Sequence, residues 1–158
     1  MMRPLYETSD DRSNEMNVAK IIANHWKLEV VKLKPACEVD FAFIRNGAVV
    51  AVMEIKCRNY SYSKLDQWGG LMLSCHKMSA LRRWHDDFPL GAAIAVQLTD
   101  GIYVWSIPNK TSFERLPEIK MMGRRDRGDP QDIEPCVLIP MKKFRKIIDV
   151  ERLPAKGA

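Results

Sequence analysis

Val39-Asp40-Phe41-Ala42-Phe43-Ile44-Arg45-Asn46-Gly47-Ala48-Val49-Val50-Ala51-Val52-Met53-Glu54-Ile55-Lys56-Cys57-Arg58 is the stretch whose reading decides the fold. Two apolar runs flank Asn46-Gly47, so it reads as two strands joined by a turn. Asp40 lies in the first strand; Glu54 and Lys56 close the second. Three charged side chains at the end of an otherwise buried hairpin are costly unless something pairs with them. A divalent metal ion pairs with two carboxylates, and a lysine beside them is placed to hold a water or a developing anion.

Facing follows from counting. Side chains alternate along a strand, so Glu54 and Lys56 share a face. A two-residue Asn46-Gly47 loop pairs Arg45 with Ala48 and Asp40 with Met53, which sets Asp40 and Glu54 on opposite faces. A three-residue loop pairs Ile44 with Ala48 and puts Asp40 diagonal to Glu54 on one face. Diagonal neighbours lie about 7–8 Å apart, within reach of long side chains. A shared metal therefore requires the three-residue loop, or a bulge with the same effect.

Asp40, followed by Glu54-Ile55-Lys56 at the end of an apolar strand, resembles the PD-(D/E)XK nuclease superfamily over residues 12–97. Val39 stands where those nucleases often carry a proline. The resemblance implies a restriction-endonuclease-like αβββαβ core, a mixed central sheet flanked by helices. It implies metal-dependent endonucleolytic hydrolysis of phosphodiester bonds in DNA. Asp40, Glu54 and the Ile55 carbonyl would be the ligands, and Lys56 would stabilise the hydroxide or the transition-state charge. Hard oxygen donors suit Mg²⁺ or Mn²⁺ better than zinc. In many relatives a first-helix carboxylate also reaches the metal. Glu15 fits that place, with a solvated helix glutamate as the alternative. A glutamine on the helix after the E-x-K strand often lies near the site, and Gln67 fits it. Small basic members with a helix glutamate resemble Holliday-junction resolvases, which implies structure-selective cutting of branched DNA and a twofold dimer.

The flanks read as follows. Residues 1–10 are expected to fray. Asp11 to Trp26 has helical periodicity in Met16, Ala19, Ile22, Ala23 and Trp26, with Ser9 or Asp10 as cap. Leu28 to Leu33 reads as the first strand. Arg58 to Ser63 is a polar loop in which Ser61 or Ser63 caps a long helix from Lys64 to His85. Leu65, Trp68, Met72, Cys75 and Met78 form that helix's stripe, and Gly69-Gly70 inside it costs about 1 kcal/mol per glycine. Ala92–Leu98 and Ile102–Ile107 are strands. A long helix between buried strands implies a crossover, hence a mixed α/β sheet. Pro108 to Pro135 reads as an exposed loop. Cys136–Pro140 is a short strand, Met141–Val150 a closing helix, and the last eight residues a loose end. No internal repeat appears, and one domain is expected.

A chain of 158 residues, 46% hydrophobic and 28% charged, has the composition of a single globular core. A net charge of +5 permits an anionic partner. Expected DNA contacts are Arg58, Tyr62 and Lys64 near the site, and Arg124, Arg125 and Arg127 in the basic loop. Lys64 and Gln67 lie one turn apart, at a helix start suited to a phosphate. No apolar run approaches the ~18 residues of a membrane span, and the N-terminus lacks a signal-peptide core, so an intracellular protein is expected. Cys37, Cys57, Cys75 and Cys136 are scattered without zinc spacing and read as reduced thiols. Two rival functions remain: a nuclease fold that binds nucleic acid or a protein without cutting, and an enzyme using Glu54 and Lys56 on a small substrate. Intact Asp40, Glu54 and Lys56 disfavour the first. The lack of a glycine-rich phosphate loop or nucleophile motif disfavours the second.

Overall fold

The computed structural model of the chain describes residues 9–108 and 118–153, with side chains from Asn14 onward. The expected fraying before residue 9, part of the expected basic loop and the last five residues lie outside the described residues; Ser9 and Asp10, expected as the cap of the first helix, lie within it. Helix α1 spans Ser9–Trp26, so residues 9 and 10 already belong to it. Its buried stripe is Val18, Ala19, Ile22 and Ala23, and it packs against Phe41, Phe43, Met53 and Ile55. Met16 and Trp26 border that contact, with the Trp26 ring edge-on to Phe43.

Strand β1 (Glu29–Lys32) pairs antiparallel with β2 (Phe41–Arg45), which pairs antiparallel with β3 (Ala48–Cys57). Asn46 and Gly47 have φ of 51° and 78°. Two consecutive positive φ values suit a two-residue hairpin turn, and Arg45 accordingly pairs with Ala48. The ladder then slips between Phe43 and Ile44: Ile44 faces Val49, but Phe43 faces Ala51. This bulge, not a three-residue loop, shifts the parity of the lower half of the hairpin.

After β3 the structure departs from the expected long helix. Helix α2 is only Tyr62–Gln67, capped by Ser61, whose hydroxyl accepts from the Lys64 N–H at 3.2 Å. Gly69 and Gly70 take φ of 95° and 134°, and a Cβ on Gly70 would stand 2.0 Å from the Ile139 carbonyl oxygen. The chain turns there into strand β4 (Leu71–Ser74), and helix α3 follows at Cys75–Asp87. Leu71 and Leu73 are buried, whereas Trp68, read as part of a buried stripe, is half exposed. Strand alternation therefore replaces the supposed helical period.

Strand β5 (Gly91–Leu98) lies parallel to β3 and antiparallel to β6 (Gly101–Ser106). The parallel pair requires a crossover, which α2, β4 and α3 provide. Strand β7 (Ile119–Gly123) replaces part of the expected loop and pairs with β8 (Ile133–Ile139), which begins earlier than expected. The expected closing helix is absent. Met141–Lys143 forms one 3-10 turn, and Arg145–Asp149 is strand β9. Pairing with the open edge of β6 outweighs the helix propensity of this Lys- and Arg-rich segment.

The result is a mixed six-stranded sheet, β1-β2-β3-β5-β6-β9, and a three-stranded sheet, β4-β8-β7. One face of the larger sheet packs on α1. The other, carrying Val52, Ile94 and Val96, packs on α3 and the smaller sheet. This is the mixed α/β class, a central sheet flanked by helices, expected from the sequence. The four cysteines carry free thiols. Among the described residues no helix is long and apolar enough to cross a membrane.

Candidate functional site

The hairpin register sets the site. Phe41 faces Met53, so one more step up the ladder brings Asp40 opposite Glu54. Val52 packs on the α3 side and Met53 on the α1 side. Alternation therefore aims Glu54 and Lys56 at the α3 side as well. Backbone contacts pin Asp40: its carbonyl accepts from the Leu33 N–H at 2.8 Å, and its Oδ2 accepts from the Ile55 N–H at 3.5 Å. The Ile55 side chain itself is buried under α1.

Three lysines converge on the two carboxylates. Lys56 Nζ is 3.0 Å from Glu54 Oε1. Lys77 Nζ lies 3.2 Å from Glu54 Oε2 and 3.2 Å from Asp40 Oδ1, so one ammonium bridges both acids. Lys32 Nζ is 3.7 Å from Asp40 Oδ1. The Glu54 side chain is 1% exposed and that of Asp40 15%. Although Oε2 of Glu54 contacts the Lys77 charge, it is buried without a hydrogen bond of good geometry among the described residues. Burial, with Asp40 beside it, pushes the Glu54 carboxyl above its ordinary range despite Lys56 and Lys77. Burial also acts upward on Asp40, but Lys77, Glu54, Lys32 and Lys56 bring its net value below the ordinary range. Lys77 is pulled down by burial and pushed up more strongly by Glu54 and Asp40, so it holds its proton tightly.

These groups sit in a cleft of about 490 Å³. Glu15 of α1, Arg58, Arg124 and Arg127 line it as well. Arg127 grips the buried Asp132 with two bonds of 2.9 and 3.0 Å, and Arg124 bonds Asp126 at 3.0 Å. Arg58 donates to the Cys57 carbonyl at 2.9 Å. Glu38, also on the wall, has φ of 64° and is held by Arg83 and His76 of α3.

The remaining sequence candidates lie elsewhere. Tyr62 packs its ring on Tyr103 at 5.1 Å and Lys64 rests over Trp68 at 5.2 Å. Gln67 and Arg125 are exposed. None of these four lines the cleft. The sequence reading missed Lys77. Ser74 accepts from the Lys77 N–H at 3.2 Å, which makes Ser74 the N-cap of α3 and sets Lys77 in its first turn. The signal was present: a double glycine, the alternating Leu71-Met72-Leu73, then a serine cap.

Among the described residues no three acidic, histidine or cysteine side chains gather around one point. Two carboxylates nonetheless suit a Mg²⁺-like ion, which keeps several waters and commonly takes only one or two carboxylates from the protein. Glu54 Oε2, buried and met only by the Lys77 ammonium without a hydrogen bond of good geometry, is an oxygen donor suited to such an ion. The residues present therefore fit a hard divalent cation.

The family model of phage putative PDDEXK endonucleases matches residues 1–147. The solved structure of Hjc from Archaeoglobus fulgidus, a Holliday junction resolvase, aligns at a TM-score of 0.41 and 16% identity, covering 55% of this chain and 73% of that one. No curated protein matches the chain.

Proposed function

We propose, since the chain belongs to the phage PDDEXK endonuclease family, that it is a nuclease hydrolysing DNA phosphodiester bonds with Mg²⁺ or Mn²⁺. The observation that carries this reading is the convergence of Asp40, which stands in the bend just before β2 rather than in the strand itself, and Glu54 of β3 in a cleft lined by lysine and arginine. Asp40 and Glu54 hold the ion. Glu15, from the first helix, and the Ile55 carbonyl would help to hold it. A bound divalent ion supplies charge for the scissile phosphate and an acidified water. Lys56, fixed at the end of β3, would orient the attacking water and stabilise the negative charge that develops.

Arg58, Arg124 and Arg127 take the phosphates on either side of the cut. Their partners hold two of these side chains in place: Asp126 steadies Arg124, and Asp132 steadies Arg127. Tyr62, Lys64, Gln67 and Arg125 extend the contact surface beyond the cleft. Phosphate contacts fix position without reading bases, so the substrate is selected by DNA structure, with branched DNA preferred to plain duplex. Cutting both strands of a junction symmetrically takes two sites, hence a twofold dimer.

The test is cleavage of a labelled four-way junction, a matched duplex and a single strand, with and without Mg²⁺ or Mn²⁺, and binding in Ca²⁺. Asp40→Asn and Glu54→Gln should abolish metal binding and cutting together. Lys56→Ala should keep metal and lose roughly 10²–10³ in rate, the usual cost of one preorganised electrostatic group. If Glu54→Gln cuts as fast as the parent, the nuclease reading is wrong and a non-cutting binding module takes its place.

A further inference from the structure

We propose that Lys77 is a built-in counter-cation of the acidic pair, and that a divalent ion binds by displacing its ammonium. The inference rests on the metal reading of Asp40 and Glu54. Its ground is position. Lys77 Nζ stands 3.2 Å from an oxygen of each carboxylate, so its charge already occupies a point within reach of both acids. A divalent ion shared by these oxygens would lie about 2.0–2.6 Å from each. An ammonium left in place would then be nearly in contact with it, and two cations at that range repel strongly in a partly buried cleft.

The structure supplies a means for the ammonium to leave. The Lys77 backbone is fixed by the Ser74 cap, but its side chain is 29% exposed and opens into the cleft. Four rotatable methylenes let the charge swing while the helix stays put. Lys56, by contrast, contacts only one of the two carboxylates, at 3.0 Å, so it can stay beside a bound ion. Of the two acids, Lys32 pairs with Asp40, at 3.7 Å, and its side chain is 32% exposed. Lys77 is therefore the one described lysine whose ammonium spans both acids. In the metal-free protein it screens Asp40 from Glu54 and keeps the pair in place for the ion.

The experiment compares the parent with Lys77→Met and Lys77→Arg. Ca²⁺ affinity is read by calorimetry, and thermal midpoints are read in a chelator and in saturating Ca²⁺. Lys77→Met should lower the chelator midpoint by roughly 5 °C. It should also bind Ca²⁺ about tenfold more tightly, the scale of coupling expected when a competing cation is removed. Lys77→Arg keeps the charge and should show no gain in affinity. A Lys77→Met protein that folds only with Ca²⁺ supports the inference in stronger form. If the parent binds Ca²⁺ and Lys77→Met binds it no more tightly, the displacement inference is overturned while the metal reading stands. If none of the three proteins binds Ca²⁺, the metal reading falls and takes this inference with it.

Discussion

Replacing Gly70 with alanine distinguishes two readings of residues 62–87 by the sign of the effect. In a continuous helix the change would stabilise by about 1 kcal/mol, since alanine is the better helix former. In the observed turn Gly70 has φ of 134°, and its new Cβ would stand 2.0 Å from the Ile139 oxygen and 2.5 Å from the Ile139 carbonyl carbon. The backbone strain alone costs about 1–3 kcal/mol. Relieving the contact means parting two backbones by roughly an ångström, next to the Leu71–Ile139 pair of the β4–β8 ladder. Leu71 and Ile139 are 2% and 0% exposed, so the move uncovers apolar surface. Losing much of one such side chain's burial costs about 1.5–3 kcal/mol. The sum, about 2.5–6 kcal/mol, is a large share of the roughly 5–15 kcal/mol that stabilises a typical domain. At this chain length it lowers the midpoint by about 10 °C. Urea unfolding followed by far-ultraviolet circular dichroism measures it as a fall in midpoint concentration at unchanged slope. A gain in stability, or a loss below about 1 kcal/mol, would refute the turn and restore the long helix.

Three further outcomes are expected. Arg127→Ala strips the buried Asp132 carboxylate of its two-bond partner and should cost about 3 kcal/mol, read as a fall in thermal midpoint; an unchanged midpoint would mean the pair is screened by water. Arg124→Ala and Arg125→Ala should each weaken DNA binding and reduce the slope of log affinity against log salt by roughly one unit; an unaltered slope would remove that arginine from the interface. In chelator, the lowered Asp40 pKa contributes stability that is present above its unfolded value and lost as pH falls through the folded one, whereas the raised Glu54 pKa makes ionised Glu54 a cost that acidification relieves. Thermal midpoints across about pH 3–7 should therefore show an acid loss that Asp40→Asn removes and a gain on leaving neutrality that Glu54→Gln removes; variants that track the parent would disprove the assignment.

How much of this was legible in the chain depends on the range of the interactions involved. The hairpin was readable because Asn46-Gly47 and the flanking apolar runs act locally. Its register was not, because the slip between Phe43 and Ile44 leaves no residue signature in Val49-Val50-Ala51. A bulge is one route to a shared face, and with the slip in place parity alone aligns Asp40 with Glu54. Strands β3 and β5 were legible as buried runs, and the segment between them correctly implied a crossover. Its internal form was hidden, because β4 pairs with β8 more than sixty residues later. A four-residue strand whose partner lies that far along the chain cannot show itself in a local pattern. Leu65, Cys75 and Met78 fell on a helical period across the break by coincidence. The same distance hid β9, which is a strand because β6 offers it an edge.

The site divides along the same line. Asp40, Glu54 and Lys56 sit on one hairpin, so a single local reading found them together. Lys77 reaches the same carboxylates only because the chain breaks at Gly70, pairs β4 with β8 and restarts at Ser74. In an unbroken helix from residue 64, one continuous axis would fix the direction of Lys77. In the fold its direction is set by a new helix that begins where β4 ends. Arg124 and Arg127 are a similar case: β7 pairs with β8, which carries them to the cleft wall, and Asp132 at the foot of β8 holds Arg127. The smaller sheet therefore delivers cations to an acidic pair that the larger sheet supplies. A substitution in β4, in β8 or at the turn that leads into β4, such as Gly70→Ala, should thus disturb the charge balance around Asp40 and Glu54 as well as stability. Calcium affinity in that variant is the measurement that tells the two effects apart.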